Sequence, residues 1–232
     1  MTAVLTVDRV VKNYGGLRPL RITRLDLQSG ERVAISGIDA TAAPVLVSLL
    51  TGAALPDEGT VQAFGRSTAD IGNGDEWLAS LERFGIVSPR AVLLEDATLQ
   101  QNLAMPYTLQ IDPVPRDVAE NVKTLATECG IATDSLMEPV AKFSPEVRAR
   151  IHFARAVALA PELLILEHPT ADIPEPSRAE FGRDVAAAAQ ARGISMLALT
   201  FDSEFASTVA HRSLMLNGAT GALTPWKRRR WF

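Results

Sequence analysis

The sequence predicts an α/β protein whose central sheet is mostly parallel and covered by helices. Three short apolar runs, at residues 32–36, 163–166 and 195–200, are typical of buried strands. A helical pattern follows each of them: residues 42–50 are compact and apolar, residues 175–192 are rich in alanine, and residues 203–210 are short. Strands that alternate with helices favour parallel pairing, because the chain must cross back before the next parallel strand begins.

The remaining elements are predicted from periodicity and turn residues. Residues 4–11 and 21–27 alternate as strands, and Gly52 ends the first helix. Further strands are predicted at residues 60–64, 85–88 and 212–216, and further helices at residues 98–107, 115–129, 145–160 and 203–210, with a loop and a short helix within 72–85. We interpret residues 90–145 as a helical lobe inserted into one domain that spans residues 1–232.

Composition excludes several classes of function. The net charge is −4, and four of the 23 basic residues stand together at 227–230. Without those four residues, the rest of the chain is even more acidic. An acidic protein is unsuited to nucleic acid, because binding of its phosphates requires excess positive charge. Cys129 is the only cysteine, which excludes an internal disulfide and favours a reducing compartment. We find no signal-peptide pattern at the N-terminus and no apolar run of the roughly 20 residues that a spanning helix needs.

Several short strings occur in a characteristic order. They are LLTG at 49–52, PDEGTV at 56–61, ARA at 154–156, PELLIL at 161–166 and Pro169-Thr170. In this order and spacing the chain resembles the nucleotide-binding subunit of ATP-binding-cassette (ABC) transporters over essentially its whole length. The resemblance implies a P-loop NTPase-like fold: a parallel-rich core sheet, an N-terminal antiparallel β subdomain and an inserted helical lobe.

The phosphate-binding loop of that family departs strongly from its pattern here. The family motif GxxxxGK[ST] supplies backbone N–H groups, a lysine for the phosphates and a hydroxyl for Mg²⁺. By alignment only Gly37 remains, while Ala43 replaces the lysine and Pro44 replaces the hydroxyl residue. Each lost charge-assisted hydrogen bond is worth about 1.5–3 kcal/mol, so ATP and Mg²⁺ would bind weakly. Alternatively, this segment is an ordinary helix start in which Thr41 is the cap and Pro44 lies in the first turn.

Asp39 suggests a replacement for the missing anion. Its carboxylate is expected near the N-terminus of the helix at 42–50, where the helix dipole favours negative charge. We hypothesise that it partly substitutes for phosphate. Binding of a different anionic ligand in the vacated loop remains open.

Three other family positions have also changed. Pro89 holds the place of the glutamine that contacts Mg²⁺ and water, and Phe201 that of the switch histidine. The signature that meets the partner's ATP is reduced to Ser144, followed by Pro145 and Glu146. The alternative interpretation of this segment is a helix start with Ser144 as N-cap.

The catalytic strand end carries residual candidates. Glu167 and His168 stand where the family has the Mg²⁺-binding aspartate and the general-base glutamate. Glu167 is the possible metal ligand, and His168 is a possible base because imidazole accepts protons near neutral pH. A lone histidine at a strand end is more often structural. Tyr14 matches the aromatic residue that stacks on adenine, although a tyrosine at a strand end needs no such role.

These departures predict an ABC ATP-binding-subunit-like protein that is deficient in hydrolysis. The expected role is a structural or regulatory partner of a membrane subunit and of a second ATP-binding subunit, as a homodimer or heterodimer. The expected location is cytoplasmic, at the inner face of the membrane, with residues 92–107 as the docking surface. The alternative is a weak or partner-completed ATPase that uses Glu167 and His168. The basic and aromatic tail, 226–232, suits an anionic membrane, a partner's acidic patch or solvent.

Overall fold

The computed structural model describes residues 3–226, so the basic residues of the predicted tail lie outside the described chain. The strands are β1 (Ala3–Lys12), β2 (Leu20–Gln28), β3 (Arg32–Ser36), β4 (Glu58–Ala63), β5 (Arg66–Ser67), β6 (Phe84–Val87), β7 (Leu163–Glu167), β8 (Ser195–Leu199), β9 (Arg212–Leu216) and β10 (Leu223–Pro225). The α-helices are α1 (Ala42–Leu50), α2 (Gly74–Leu81), α3 (Leu99–Ala104), α4 (Arg116–Glu128), α5 (Pro145–Val157), α6 (Glu175–Ala191) and α7 (Ser203–Val209). Short 3₁₀ turns lie at Thr68–Asp70, Thr133–Ser135 and Val140–Lys142.

The larger sheet has the order β10-β9-β3-β8-β7-β6. Its inner pairs are parallel, and only β10 runs antiparallel to its neighbour β9. All residues of β7 and β8 are buried, which explains their continuous apolar sequence. The predicted parallel-rich core sheet is therefore confirmed.

The smaller sheet is antiparallel, with the order β2-β1-β4-β5. It confirms the N-terminal antiparallel subdomain. Val7 of β1 faces Leu25 of β2 on one side and Val61 of β4 on the other, and these side chains are buried. They pack with α1 and with one face of the large sheet in a single apolar cluster. This cluster places the β3–α1 loop beside the small sheet.

The helical lobe is confirmed, although its helices are shorter than predicted. A capping box starts α3, since Thr98 accepts from the Gln101 N–H and the Gln101 side chain accepts from the Thr98 N–H. Fully buried Asn102 then exchanges hydrogen bonds with the backbone of Leu94. Apolar residues of α3 and α4 pack in one cluster with α5, α6 and the other face of the large sheet. The lobe is thus joined to the sheet by continuous packing.

A buried arginine ties three helices together at this junction. The Arg150 side chain on α5 is 4% exposed and pairs with Asp184 and Glu180 of α6 and with Glu146 of its own helix. Its Nη1 also donates to the carbonyl of Cys129, just after α4. Cys129 itself is buried, and burial raises the pKa of its thiol to about 12.

The chain end corrects one prediction. Trp226 is the first residue of the predicted basic and aromatic tail, yet its backbone N–H donates to the Ser213 carbonyl at 2.8 Å and its side chain packs against the core. It therefore belongs to the folded body. Among the helices within residues 3–226, none is long and apolar enough to cross a bilayer.

Candidate functional site

The start of α1 is closed by its own loop. Asp39 Oδ1 accepts from the Thr41 N–H at 3.0 Å, the Thr41 hydroxyl at 2.7 Å and the Ala42 N–H at 2.8 Å. The Ala43 N–H donates to the Asp39 carbonyl at 2.9 Å, and Pro44 has no N–H. The first N–H groups of the helix are therefore engaged or absent, so a phosphate finds few free donors there.

This geometry corrects the predicted cap. Thr41 occupies the N-cap position but has helical dihedral angles, and its side chain makes no capping hydrogen bond. The prediction that Thr41 caps the helix is wrong, because its hydroxyl donates to Asp39 instead. The expected position of the Asp39 carboxylate at the helix N-terminus is confirmed.

We expect the Asp39 carboxyl group to titrate below its ordinary value of 3.8. The Thr41 hydroxyl and then the Ala42 N–H stabilise the ionised form and lower its pKa. A lowered pKa in the folded state means that this contribution to stability is present above pH 4 or so and is lost as pH falls through the folded pKa. A carboxyl ¹³C NMR titration measures it. Thr41→Val removes the largest cause at nearly constant shape, so the pKa should rise toward 3.8; an unchanged value would contradict this explanation.

Gly37, the remaining loop glycine, has a structural reason to be glycine. Its φ angle is +90°, and a Cβ atom there would lie 2.6 Å from the Leu216 carbonyl oxygen of β9. The close approach of the two backbones requires glycine whether or not a ligand is present. Nearby, Ala43 in the first turn of α1 is completely buried and brings no cation to the loop.

Tyr14 and Asp39 line a cavity of about 660 Å³ between the small sheet and α1, together with Gly37, Arg18 and Arg21. The ring of Tyr14 lies against its own loop, since a Cβ on Gly16 would be 2.7 Å from the ring. The loop is anchored by Asp57, which accepts from the Asn13 N–H at 2.7 Å and from Lys12 at 2.8 Å. These contacts lower the pKa of Asp57 to about 2. The cavity thus combines one aromatic ring and two guanidinium groups with a resident carboxylate.

Glu167, at the end of β7, is 1% exposed and bound by Arg90. Nη1 and Nη2 of Arg90 donate to Oε1 and Oε2 of Glu167 at 2.6 and 2.8 Å. The sequence reasoning missed Arg90. The available signal was its place just after β6, because β6 and β7 are parallel neighbours whose carboxyl ends meet at one edge of the sheet.

His168 lies beside Phe201, which brings two altered family positions together. The rings stack with centroids 5.5 Å apart and an angle of 7° between their planes. His168 has a φ angle of +45°, and its N–H donates to Leu199 at 2.9 Å. Its buried Nε2 atom has no hydrogen-bond partner within residues 3–226. A base needs access to a proton donor, so this placement favours the structural interpretation of His168.

Ser144 starts α5 as an N-cap, as the alternative interpretation predicted. Its Oγ accepts from the Val147 N–H at 3.5 Å, and Pro145 occupies the first turn. Glu146 extends toward Arg150, 3.5 Å away. Ser144 does not line the cavity that contains Tyr14, Gly37 and Asp39.

The residues at this site do not fit Mg²⁺. Both oxygens of Glu167 are held by Arg90, while Pro44 and Pro89 offer no side-chain ligand. Within the described chain, no group of three or more His, Cys, Asp or Glu side chains is placed to hold a metal ion. Hard divalent cations require several oxygen ligands, and this donor set supplies none that is free.

Solved structures establish the class of fold. The chain superposes on cbiO1 from Clostridium perfringens, described as part of an ABC transporter complex, with a TM-score of 0.80 at 20% identity over 97% of this chain and 88% of that one. It superposes on the dimeric ATP-binding cassette MJ0796 bound to ADP and Pi with a TM-score of 0.76 at 16% identity, over 97% and 100% of the two chains. The fold is that of ABC ATPase cassettes, a P-loop NTPase fold.

The sequence then identifies the family. Residues 20–171, more than half of the chain, match the family described as ABC transporter. The chain belongs to the ABC transporter family.

Curated relatives agree with this assignment. The chain is 32% identical to the phosphonates import ATP-binding protein PhnC of Anaeromyxobacter dehalogenans over 75% of its length. It is 27% identical to the lipoprotein-releasing system ATP-binding protein LolD of Geobacter metallireducens, covering 94% of this chain and 98% of that protein. The chain spans only 36% of the length of PhnC and 56 to 59% of several iron and sulfate import relatives.

Proposed function

We propose that this chain is an ABC ATP-binding-subunit-like protein that does not hydrolyse ATP and serves as a structural or regulatory partner of a membrane transport complex. The closed start of α1 carries the proposal. Three hydrogen bonds hold Asp39 where phosphate binding needs free N–H groups. A triphosphate would have to displace a carboxylate and would also be repelled by it.

The partners that this proposal requires are a membrane subunit and a second ATP-binding subunit. Many relatives are named as ATP-binding proteins of import systems, and one structural neighbour is described as dimeric. We infer a place at the cytoplasmic face of a membrane, within a homodimer or heterodimer.

A groove between the core and the lobe supports docking. Its cavity is about 650 Å³ and is lined largely by apolar side chains, including Leu78, Phe84, Met105, Leu159 and Pro161. Leu78 and Leu159, which line the same groove, are each 56% exposed, and exposed apolar residues that share one surface are typical of interaction sites. Arg155 also lines the groove and forms no ion pair within residues 3–226; its Nη1 donates to the Val92 carbonyl at 2.8 Å. An amphipathic helix with an apolar stripe and one acidic residue fits this surface.

Leu159→Glu should abolish this docking. A carboxylate there would disrupt the apolar contact and compete with the partner helix's acidic residue for Arg155, and we expect at least a tenfold loss of co-purified membrane subunit from native membranes. Leu109→Glu is the matched control, because Leu109 is fully exposed on the lobe and does not line the groove. Equal recovery of the membrane subunit with both variants would contradict the proposed docking surface.

The second candidate is a weak or partner-completed ATPase that uses Glu167 and His168. It is favoured by the place of both residues at the carboxyl end of β7, where the family carries its catalytic residues. Two observations disfavour this candidate. The buried Nε2 of His168 has no hydrogen-bond partner among the described residues, and both carboxylate oxygens of Glu167 are bound by Arg90. Loss of any measured phosphate release in His168→Ala, in the assembled complex, would support this candidate over the first.

A further inference from the structure

The ion pair between Arg90 and Glu167 differs from every other ion pair among the described residues. Glu167 is 1% exposed, whereas the next most buried carboxylate in an ion pair, Asp202, is 12% exposed. Both oxygens of Glu167 receive a hydrogen bond from one guanidinium group. A buried carboxylate requires a counter-charge and donors for both oxygens, and Arg90 supplies all of them.

A tight turn places Arg90 for this contact. The Arg90 N–H donates to Ser88 Oγ at 3.2 Å, and the Ala91 N–H donates to the Ser88 carbonyl at 3.0 Å. The turn directly follows β6, and Val87 at the end of β6 is level with Leu166 in β7. The turn therefore places the guanidinium of Arg90 beside Glu167, which follows Leu166 on the neighbouring strand.

We propose that Arg90 is a resident cation that replaces a divalent metal ion at the carboxyl end of β7. A metal at Glu167 would have to displace a bidentate guanidinium from a carboxylate that is 1% exposed, although the Arg90 side chain itself is 52% exposed. This inference rests on the proposed function, because a subunit that does not hydrolyse ATP does not need Mg²⁺ at this position. A site with its own fixed cation has no need of the Mg²⁺ that accompanies ATP. Arg90 then acts as a positioning residue that holds Glu167 and the edge of the sheet in place without a metal.

The same two strands provide a matched control at their other ends. Arg83 precedes β6 and Glu162 precedes β7, and they also form a bidentate pair, in which Nε and Nη2 of Arg83 donate to Oε1 and Oε2 of Glu162 at 2.6 and 2.8 Å. Glu162, however, is 53% exposed, so water can replace its partner. Only the buried pair should behave as a substitute for a metal.

The test is Mn²⁺ binding to the whole chain, read by paramagnetic broadening of amide NMR signals and by the midpoint of thermal unfolding. For the wild type we expect no broadening centred on residues 166–168 and the same midpoint in EDTA and in millimolar Mn²⁺. Arg90→Ala should create a weak Glu167-dependent site: broadening at these residues, and a midpoint raised by about 1 °C by millimolar Mn²⁺. Both effects should vanish in Arg90→Ala combined with Glu167→Gln, and neither should arise in Arg83→Ala.

Arg90→Gln serves as a second variant if the alanine variant does not fold, because glutamine removes the charge but keeps one donor and much of the volume. The proposal is overturned if the wild type already binds Mn²⁺ at Glu167, as judged by a loss of broadening in Glu167→Gln, or if neither Arg90 variant gains a Glu167-dependent site. These outcomes leave docking at Leu159 untouched. Loss of docking in turn leaves the Mn²⁺ result standing, so the two proposals fail separately.

Discussion

Arg90→Ala is expected to lower the free energy of unfolding by about 2 to 3 kcal/mol, less than the roughly 3 to 5 kcal/mol of a fully buried ion pair, because the Arg90 side chain is 52% exposed. Glu167 is 1% exposed, so its carboxylate would lose both donors and would depend on water that enters the space left by the half-exposed Arg90 side chain. Urea denaturation at neutral pH measures the change. The alanine variant should also be rescued in part by Glu167→Gln, which removes the unpaired charge.

Arg83→Ala is the control for this prediction. It breaks a pair that is also bidentate but about half exposed on both sides, and surface pairs contribute only about 0 to 1 kcal/mol. Equal destabilisation of the Arg83 and Arg90 variants would show that burial of Glu167 has no special energetic role.

Arg150→Met is the second substitution for which we expect a large effect, a decrease of about 3 kcal/mol in the free energy of unfolding. Methionine keeps the apolar stem of the side chain but leaves Asp184, Glu180 and Glu146 with no cation among them. The estimate stands at the lower end for a broken buried pair because these carboxylates are partly exposed and can turn toward water. Since Arg150 joins α4, α5 and α6, the lobe should also become more accessible, which amide hydrogen exchange in α4 would detect.

Arg148→Met is the matched control on the same helix. Arg148 pairs with Glu95, but both side chains are about a third to a half exposed. We expect a change below about 1 kcal/mol. If Arg150→Met unfolds at the same urea concentration as the control, the buried cluster does not hold the lobe to the core.

Regular elements could be predicted from sequence where one local signal dominated. The bounds of β3, α1 and β9 match the predicted ranges to the residue, because apolar runs there are bordered by clear turn residues such as Gly52 and Gly37. Strands β5 and β10 were missed, since two or three residues carry no detectable period. Their pairing depends on neighbours in the fold.

The candidate site was less predictable because its decisive contacts are not local. The loss of family residues at positions such as Ala43, Pro44 and Pro89 can be read directly from the chain. The residues that take the place of the family's groups cannot be read from the sequence in this way. Arg90 and Glu167 are 77 residues apart, and their contact depends on the register of β6 against β7. The start of α1 was also difficult to predict, although its contacts are local. Asp39 and Thr41 are both able to cap the helix, and the helical dihedral angles of Thr41 show that its side chain does not.

Taken together, two internal charges stand at the positions where the family handles Mg²⁺ and phosphate. Asp39 provides an anion at the start of α1, and Arg90 provides a cation at the end of β7. Under the proposed function, these two charges would satisfy both sites without a nucleotide. This arrangement is consistent with a subunit that is selected for its shape and its docking groove.

The proposal that the chain does not hydrolyse ATP is tested most directly by thermal unfolding of the purified chain with increasing Mg-ATP, together with an assay for released phosphate. A ligand at 100 times its dissociation constant would stabilise the fold by about 2.7 kcal/mol, which is several degrees for a chain of this size. We predict no shift at millimolar Mg-ATP and no release of phosphate. A saturable, magnesium-dependent shift accompanied by steady phosphate release would contradict the account.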